Sequence, residues 1–213
     1  MTTRVEDVMT RNVVSLRRHA QYKEIVQVMR SRKFSAFPVL DDHDRVIGMV
    51  SEDDLLVKEA YSDSGSRAGV LPRHGDKAKA AGLCAAELMH RPAITIEPDA
   101  TVAEAARLMH ARHVKRLPVV DGPSRRLVGI VSRVDLLGVY DRPDEDIRKE
   151  ILEEVIEAEF VLDRLAFGVT VAGGVVTVSG PVHSQPVALS LLAAIRRVDG
   201  VVAVRDRLSY PRR

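Results

Sequence analysis

The chain has 213 residues, 46% hydrophobic and 29% charged, with a formal net charge of +2, one cysteine and no tryptophan. That length can bury a real core in one large or two small domains. The near-neutral balance argues against a nucleic-acid field, few aromatics leave little for base stacking, and Cys84 alone excludes an intrachain disulfide framework. No stretch reaches the roughly 18 apolar residues of a membrane span, and the first residues lack a signal-peptide core, so a cytoplasmic protein is expected.

In chain order, residues 4–10 lead into an extended run at Val13–Leu16. Ala20–Arg32 then places Ile25, Val26 and Met29 at helical spacing. Phe37–Leu40 and Val46–Val50 read as strands around the polar turn Asp41–Asp44, and a closing helix runs from Asp54 to Glu59. Residues 61–83 have the texture of a flexible connector, with room for a helix after Asp76; its basic residues Arg67, Arg73, Lys77 and Lys79 read as solvated surface.

Residues 84–140 repeat the first unit. Gly48–Leu56 reads GMVSEDDLL and Gly129–Leu137 reads GIVSRVDLL. Val8-Met9 recurs as Leu88-Met89, Met29 as Met109, and Phe37–Asp41 as Leu117–Asp121, at an offset of 80 that becomes 81 after Asp121. A duplicated unit is present, and since each copy is too small to bury its own sheet and helices, the copies are expected to pack about a pseudo-twofold axis. Each closing phrase is a strand ending in serine with an aspartate three residues on. Alone that pattern is an ordinary helix cap; in duplicate it becomes a pair of candidate ligand elbows, because a carboxylate at a helix entrance can accept two hydroxyl hydrogen bonds.

From Asp144 the texture changes. Ile147, Ile151, Val155 and Leu162 form an apolar stripe on a Glu-rich helix, and Val169–Val171 and Val175–Val178 are strands joined by Gly173-Gly174, a tight-hairpin signal. Gly180-Pro181 is expected to break the second strand. Pro186–Arg197 reads as a helix with Leu189, Leu192 and Ala193 inward, stopped by Gly200 before a last strand at Val201–Leu208.

The paired openings, the "FPV" and "LPV" strands and the two G-h-V-S-x-x-D-L phrases resemble a tandem pair of CBS domains, the Bateman module. The segment 144–209, with GGVVTVSG and VDGVVAVRDRL, resembles a BON domain. The fold class implied is α+β: two pseudo-twofold-related CBS repeats, residues 4–60 and 84–140, followed by a small αββαβ domain. The first resemblance implies adenine nucleotides (AMP, ADP or ATP, with S-adenosylmethionine ranked behind) in composite clefts between repeats. One cleft would join Ser51 and Asp54 to Lys115 and Arg116 for phosphate, with Arg91, Pro92 and Ala93 beside the base. The other would join Ser132, Arg133 and Asp135 to Asn12, Val13, Ser35 and Ala36, with less positive charge. It also implies a homodimer. The second resemblance implies membrane-surface interaction, but residues 144–213 carry eleven acidic and nine basic side chains, a balance that fits a protein partner at least as well.

No catalytic constellation is found: no P-loop, G-x-G-x-x-G, G-x-S-x-G or H-E-x-x-H. Asp53 and Asp54 are adjacent and diverge on a helix, and His110 and His113 lack a further ligand at suitable spacing, so neither a catalytic pair nor a metal site nor a cofactor is expected. The sequence therefore reads as a non-enzymatic nucleotide sensor. The competing reading is a constitutive protein- or membrane-surface scaffold with vestigial clefts.

Overall fold

The repeated apolar strands form two hairpins of the same design. In the computed structural model, which describes residues 3–61 and 76–211, β2 (Ala36–Leu40) pairs antiparallel with β3 (Val46–Ser51), Ala36 opposite Ser51. Four of the five β2 residues are buried, as a strand covered on both faces must be, whereas β3 alternates. In the second copy β4 (Arg116–Val120) and β5 (Leu127–Ser132) repeat the pairing with Arg116 opposite Ser132, and both hairpins shift register at the matching place, Val39/Leu40 and Val119/Val120. β1 (Leu16–Arg17) adds a parallel strand to β2. In the second copy this shrinks to a single bridge, Ile96 to Val119.

Residues Met9–Ala100 and Arg107–Ser132 form one unit; Met1–Val8, Thr101–Ala106 and Arg133–Arg213 form the other. Within the first, each copy's opening segment lies on the other copy's hairpin. Thr10 bridges Ile130 and His90 bridges Met49, a pair of contacts related by the repeat offset. This close approach explains two signals in the repeat. A Cβ on Gly48 would sit 2.4 Å from Met89 Sδ, and one on Gly129 would sit 2.4 Å from Met9 Sδ. Each motif glycine thus makes room for the motif methionine of the other copy. Leu16, Ile25, Met29, Phe37, Val39, Val50, Leu55 and Leu88 are among the buried side chains of the first copy's core.

Two of the helices begin where side chains can satisfy free N–H groups. Gln21 and Glu24 form a capping box at α2 (Tyr22–Arg32), and Thr101 and Glu104 do the same at α6 (Val102–Ala111), which follows α5 (Ala85–Leu88). α3 (Glu52–Tyr61) and α7 (Arg133–Leu137) follow directly on β3 and β5, and the first copy opens with α1 (Val5–Val8). The helix expected after Asp76 is α4 (Asp76–Ala81). Arg67 and Arg73 lie outside the described residues.

The second unit carries the C-terminal domain. α8 (Asp144–Glu150) continues into a wider π-helical stretch, Ile151–Glu159, marked by a Phe160 N–H to Val155 C=O bond of 3.0 Å. β6 (Gly168–Ala172) and β7 (Val175–Pro181) form the hairpin; α9 (Gln185–Ile195) then returns the chain so that β8 (Ala203–Ser209) runs parallel to β7. Gly173 and Gly174 both have positive φ, 56° and 72°, as a two-residue hairpin turn demands. The core contains Ile147, Ile151, Val155, Ile156, Val176, Val178, Leu191 and Ile195. Two expectations are corrected. β7 runs on through Gly180 and Pro181, where Gly180 (φ 144°) leaves space for Phe167. On α9 the inward residues are Ala188, Leu191, Leu192, Ala194 and Ile195, while Leu189 and Ala193 face solvent, because the buried stripe lies one to two positions round the helix from the expected one.

Candidate functional site

Ser51 ends β3, and Asp54 is the third residue of α3. One oxygen of Asp54, Oδ2, accepts from the Ser51 N–H at 2.8 Å and from Ser51 Oγ at 2.7 Å. That is the capping half of the elbow: the carboxylate holds the strand-to-helix turn closed. The Ser35 carbonyl accepts the Glu52 N–H at 3.0 Å, so Ser35 takes one of the helix's free donors as well.

The other oxygen, Oδ1, faces two basic side chains that the elbow pattern does not contain. Lys79 Nζ from α4 forms an ion pair with it, and His90 Nδ1 lies 2.7 Å away. Asp54 is 1% exposed and Lys79 15%, while His90 is 71% exposed. Burial alone would raise the Asp54 carboxyl, but the hydrogen bonds from His90, Lys79 and Ser51 outweigh it and hold it below the ordinary carboxylate value. α4 is held in turn by Lys58 of α3, whose Nζ donates to the carbonyls of Ala80 at 2.9 Å and Gly82 at 3.1 Å. Lys79 is therefore not solvated surface, which corrects the sequence expectation. Neither partner was readable: Lys79 lies in the connector, with no counterpart in the duplicated phrases, and His90 corresponds to Thr10 in the first copy.

Arg116 reaches the first hairpin from the second copy. Its Nη1 donates to the Ala36 carbonyl at 3.3 Å, and Ala36 stands opposite Ser51 in the first hairpin while Arg116 stands opposite Ser132 in the second. Lys115 precedes it and is exposed. Arg91 and Pro92 are exposed, joined by a cis peptide bond, and follow His90, which is paired with Met49; Ala93 is buried with Leu40, Val46 and Val120.

Of the residues expected in the second cleft, Ser132 ends β5, Asn12 is exposed and Val13, Ser35 and Ala36 are half-buried, all in the first unit. Ser35 and Ala36 make their backbone contacts with Glu52, Ser51 and Arg116. Arg133 and Asp135 open α7 in the second unit. A cavity of about 410 Å³ lies elsewhere, at the turn end of the strands; it is lined by Arg11, Val13, Ser15, Leu40, Asp44, Arg126 and Leu127 and shares only Val13 with the expected site residues. Among the described residues no group of three or more His, Cys, Asp or Glu side chains is placed to hold a metal ion, and no helix is long and apolar enough to cross a membrane.

Comparison with known proteins adds to this geometry. The CBS domain profile matches residues 5–60 and 85–142, and the BON domain profile matches residues 143–212. An uncharacterized protein of Methanocaldococcus jannaschii is 34% identical over 161 residues, covering 76% of this chain and 36% of its own length, so the chain spans about a third of that relative. Hypoxic response protein 1 of Mycobacterium tuberculosis is 29% identical over 136 residues, covering 64% of this chain and 83% of that protein. The crystal structure of CBSX2 in complex with AMP superposes with a TM-score of 0.55 at 25% identity, covering 63% of this chain and 94% of that one.

Proposed function

The chain belongs to the CBS domain family and carries a BON domain at residues 143–212, and from that premise we propose that it is a non-enzymatic regulatory protein that binds an adenine nucleotide at the Ser51–Asp54 elbow. The observation that supports this most is the convergence of Arg116 from the second copy on Ala36, directly across the hairpin from Ser51. A guanidinium on Ala36 and the acceptors of the serine–aspartate turn would supply the pairing of charge and acceptors that a phosphorylated ribose needs. The similarity to CBSX2, whose crystal structure is in complex with AMP, supports an adenine nucleotide as the ligand class. Ser132 with Asn12, Val13, Ser35 and Ala36 would serve a second, less basic cleft. AMP, ADP and ATP are the candidate ligands, with S-adenosylmethionine behind them. Occupancy would be relayed to residues 144–209, which would meet a protein or membrane-surface partner, and the chain would act as a homodimer in the cytoplasm.

A thermal-shift titration of the full chain tests this. A cognate nucleotide at 100 times its dissociation constant stabilises by roughly 2.7 kcal/mol, and Arg116→Ala weakens that response. A second reading has one specific observation in its favour: Asp54 Oδ1 already holds Lys79 and His90, as expected of a scaffold whose cleft no longer works. An unmoved melting curve with AMP, ADP, ATP and S-adenosylmethionine would select that reading.

A further inference from the structure

We propose that Lys79 is a tethered competitor for the outer oxygen of Asp54, so that a nucleotide ribose reaches this carboxylate only when α4 lets go of the elbow. The proposal rests on the nucleotide reading above and deepens it by naming a residue that sets affinity and a segment that moves.

The two oxygens of Asp54 have different work. Oδ2 is committed to the Ser51 N–H and Oγ, and those bonds keep the turn folded. Oδ1 is the oxygen a ligand's hydroxyls would use, and Lys79 and His90 already occupy it. His90 is largely exposed and can swing aside. Lys79 is mostly covered, and it arrives on a six-residue helix that is too short to hold together in water without outside support.

Two polar side-chain contacts supply part of that support: Lys58 on the carbonyls of Ala80 and Gly82, and Lys79 on Asp54. A vicinal diol entering the elbow exchanges a charge-assisted pair for two neutral hydroxyl donors. The competitor therefore taxes ligand affinity by the fraction of time it holds the carboxylate. Its displacement also removes one of these polar contacts of α4, so occupancy of the elbow is converted into loosening of the connector's end. In the other copy the residue matching His90 is Thr10, whose backbone bridges Ile130.

The test titrates the full chain with AMP by calorimetry, as wild type, Lys79→Met and Lys79→Arg, and follows amide exchange over residues 78–83. Lys79→Met is expected to strengthen one binding event by roughly tenfold or more, while Lys79→Arg stays near wild type. Exchange over 78–83 is expected to rise in wild type on saturation with AMP, and in Lys79→Met without it. Equal or weaker AMP binding by Lys79→Met overturns the proposal, as does exchange that AMP leaves unchanged. If AMP binds wild type and Lys79→Met alike, the nucleotide reading survives and only the competitor role falls. If neither protein binds AMP, ADP, ATP or S-adenosylmethionine, both fall, and faster exchange in Lys79→Met then shows only that Lys79 anchors α4.

Discussion

Asp54 is held by three partners in a dry setting, and its titration follows from that. Folding lowers its pKa, so the unfolded chain keeps the proton more readily than the folded one. The stability this group contributes is complete above the ordinary carboxyl value of 3.8 and is lost as pH falls through the lower folded value. Unfolding midpoints of wild type and Asp54→Asn, measured from pH 6 down to pH 2, are expected to differ most at the upper end and to converge below 3.8. A gap that stays constant over that range would mean the carboxylate's charge is not what its neighbours hold. Gly48 and Gly129 make a second, finer test. An alanine at either meets a methionine Sδ at 2.4 Å, but at Gly48 it also meets the His90 carbonyl at 2.8 Å, whereas at Gly129 the Thr10 carbonyl is 3.3 Å away. A thioether can swing away and a backbone cannot. Gly48→Ala is therefore expected to cost about 1–3 kcal/mol and Gly129→Ala less, read by chemical denaturation. Much of this was visible in the sequence: serine, aspartate, glycine and methionine all recur at the repeat offset. Lys79 was not, because it has no repeat partner and no periodicity, and it reaches Asp54 through the docking of α4 on α3, to which Lys58 contributes.

At the scale of elements, the C-terminal hairpin shows the same division between local and distant causes. Its Gly173-Gly174 turn was legible, since only residues tolerant of positive φ suit a two-residue hairpin loop. Its cap was not. Asp144, the first residue of α8, accepts the Gly173 N–H at 2.7 Å through Oδ2 and the Gly174 N–H at 2.8 Å through Oδ1, from 29 and 30 residues away. Local pattern cannot see such a contact. Asp144→Ala is expected to destabilise this domain by about 1–2 kcal/mol. Gly174→Ala is expected to cost more, because it combines a φ of 72° with a Cβ 2.7 Å from the Gly200 carbonyl. Denaturation followed by amide exchange in β6 and β7 measures both, and an Asp144→Ala protein as protected as wild type would remove the cap from the account. The misplacement of Leu189 and Ala193 has a simple physical origin. α9 is apolar over much of its circumference, so the hydrophobic pattern alone leaves its rotation open.

At the scale of the molecule, charge decides which partners the C-terminal domain can attract. The chain is +2 overall, yet residues 144–213 carry eleven acidic against nine basic side chains. Part of that basic set is already engaged: Arg148 with Glu145, Arg164 with Glu153 and Glu157, and Arg197 with Glu159. Arg205 and Arg207 are exposed two residues apart on β8, with Asp206 between them on the opposite side of the strand. An anionic bilayer rewards each basic residue near its surface by about 1 kcal/mol, so Arg205 and Arg207, even with the exposed Lys149 and Arg196, give little hold in a domain with eleven acidic side chains. Retention of the full chain on vesicles is therefore expected to be low and nearly independent of phosphatidylserine content and of salt between 50 and 200 mM, on the order of the range over which a polybasic surface loses its grip. Binding that climbs with phosphatidylserine, falls with salt and disappears in Arg205→Glu/Arg207→Glu would show that β8 presents a working basic face. The partner would then be a lipid surface rather than the protein that the charge balance favours.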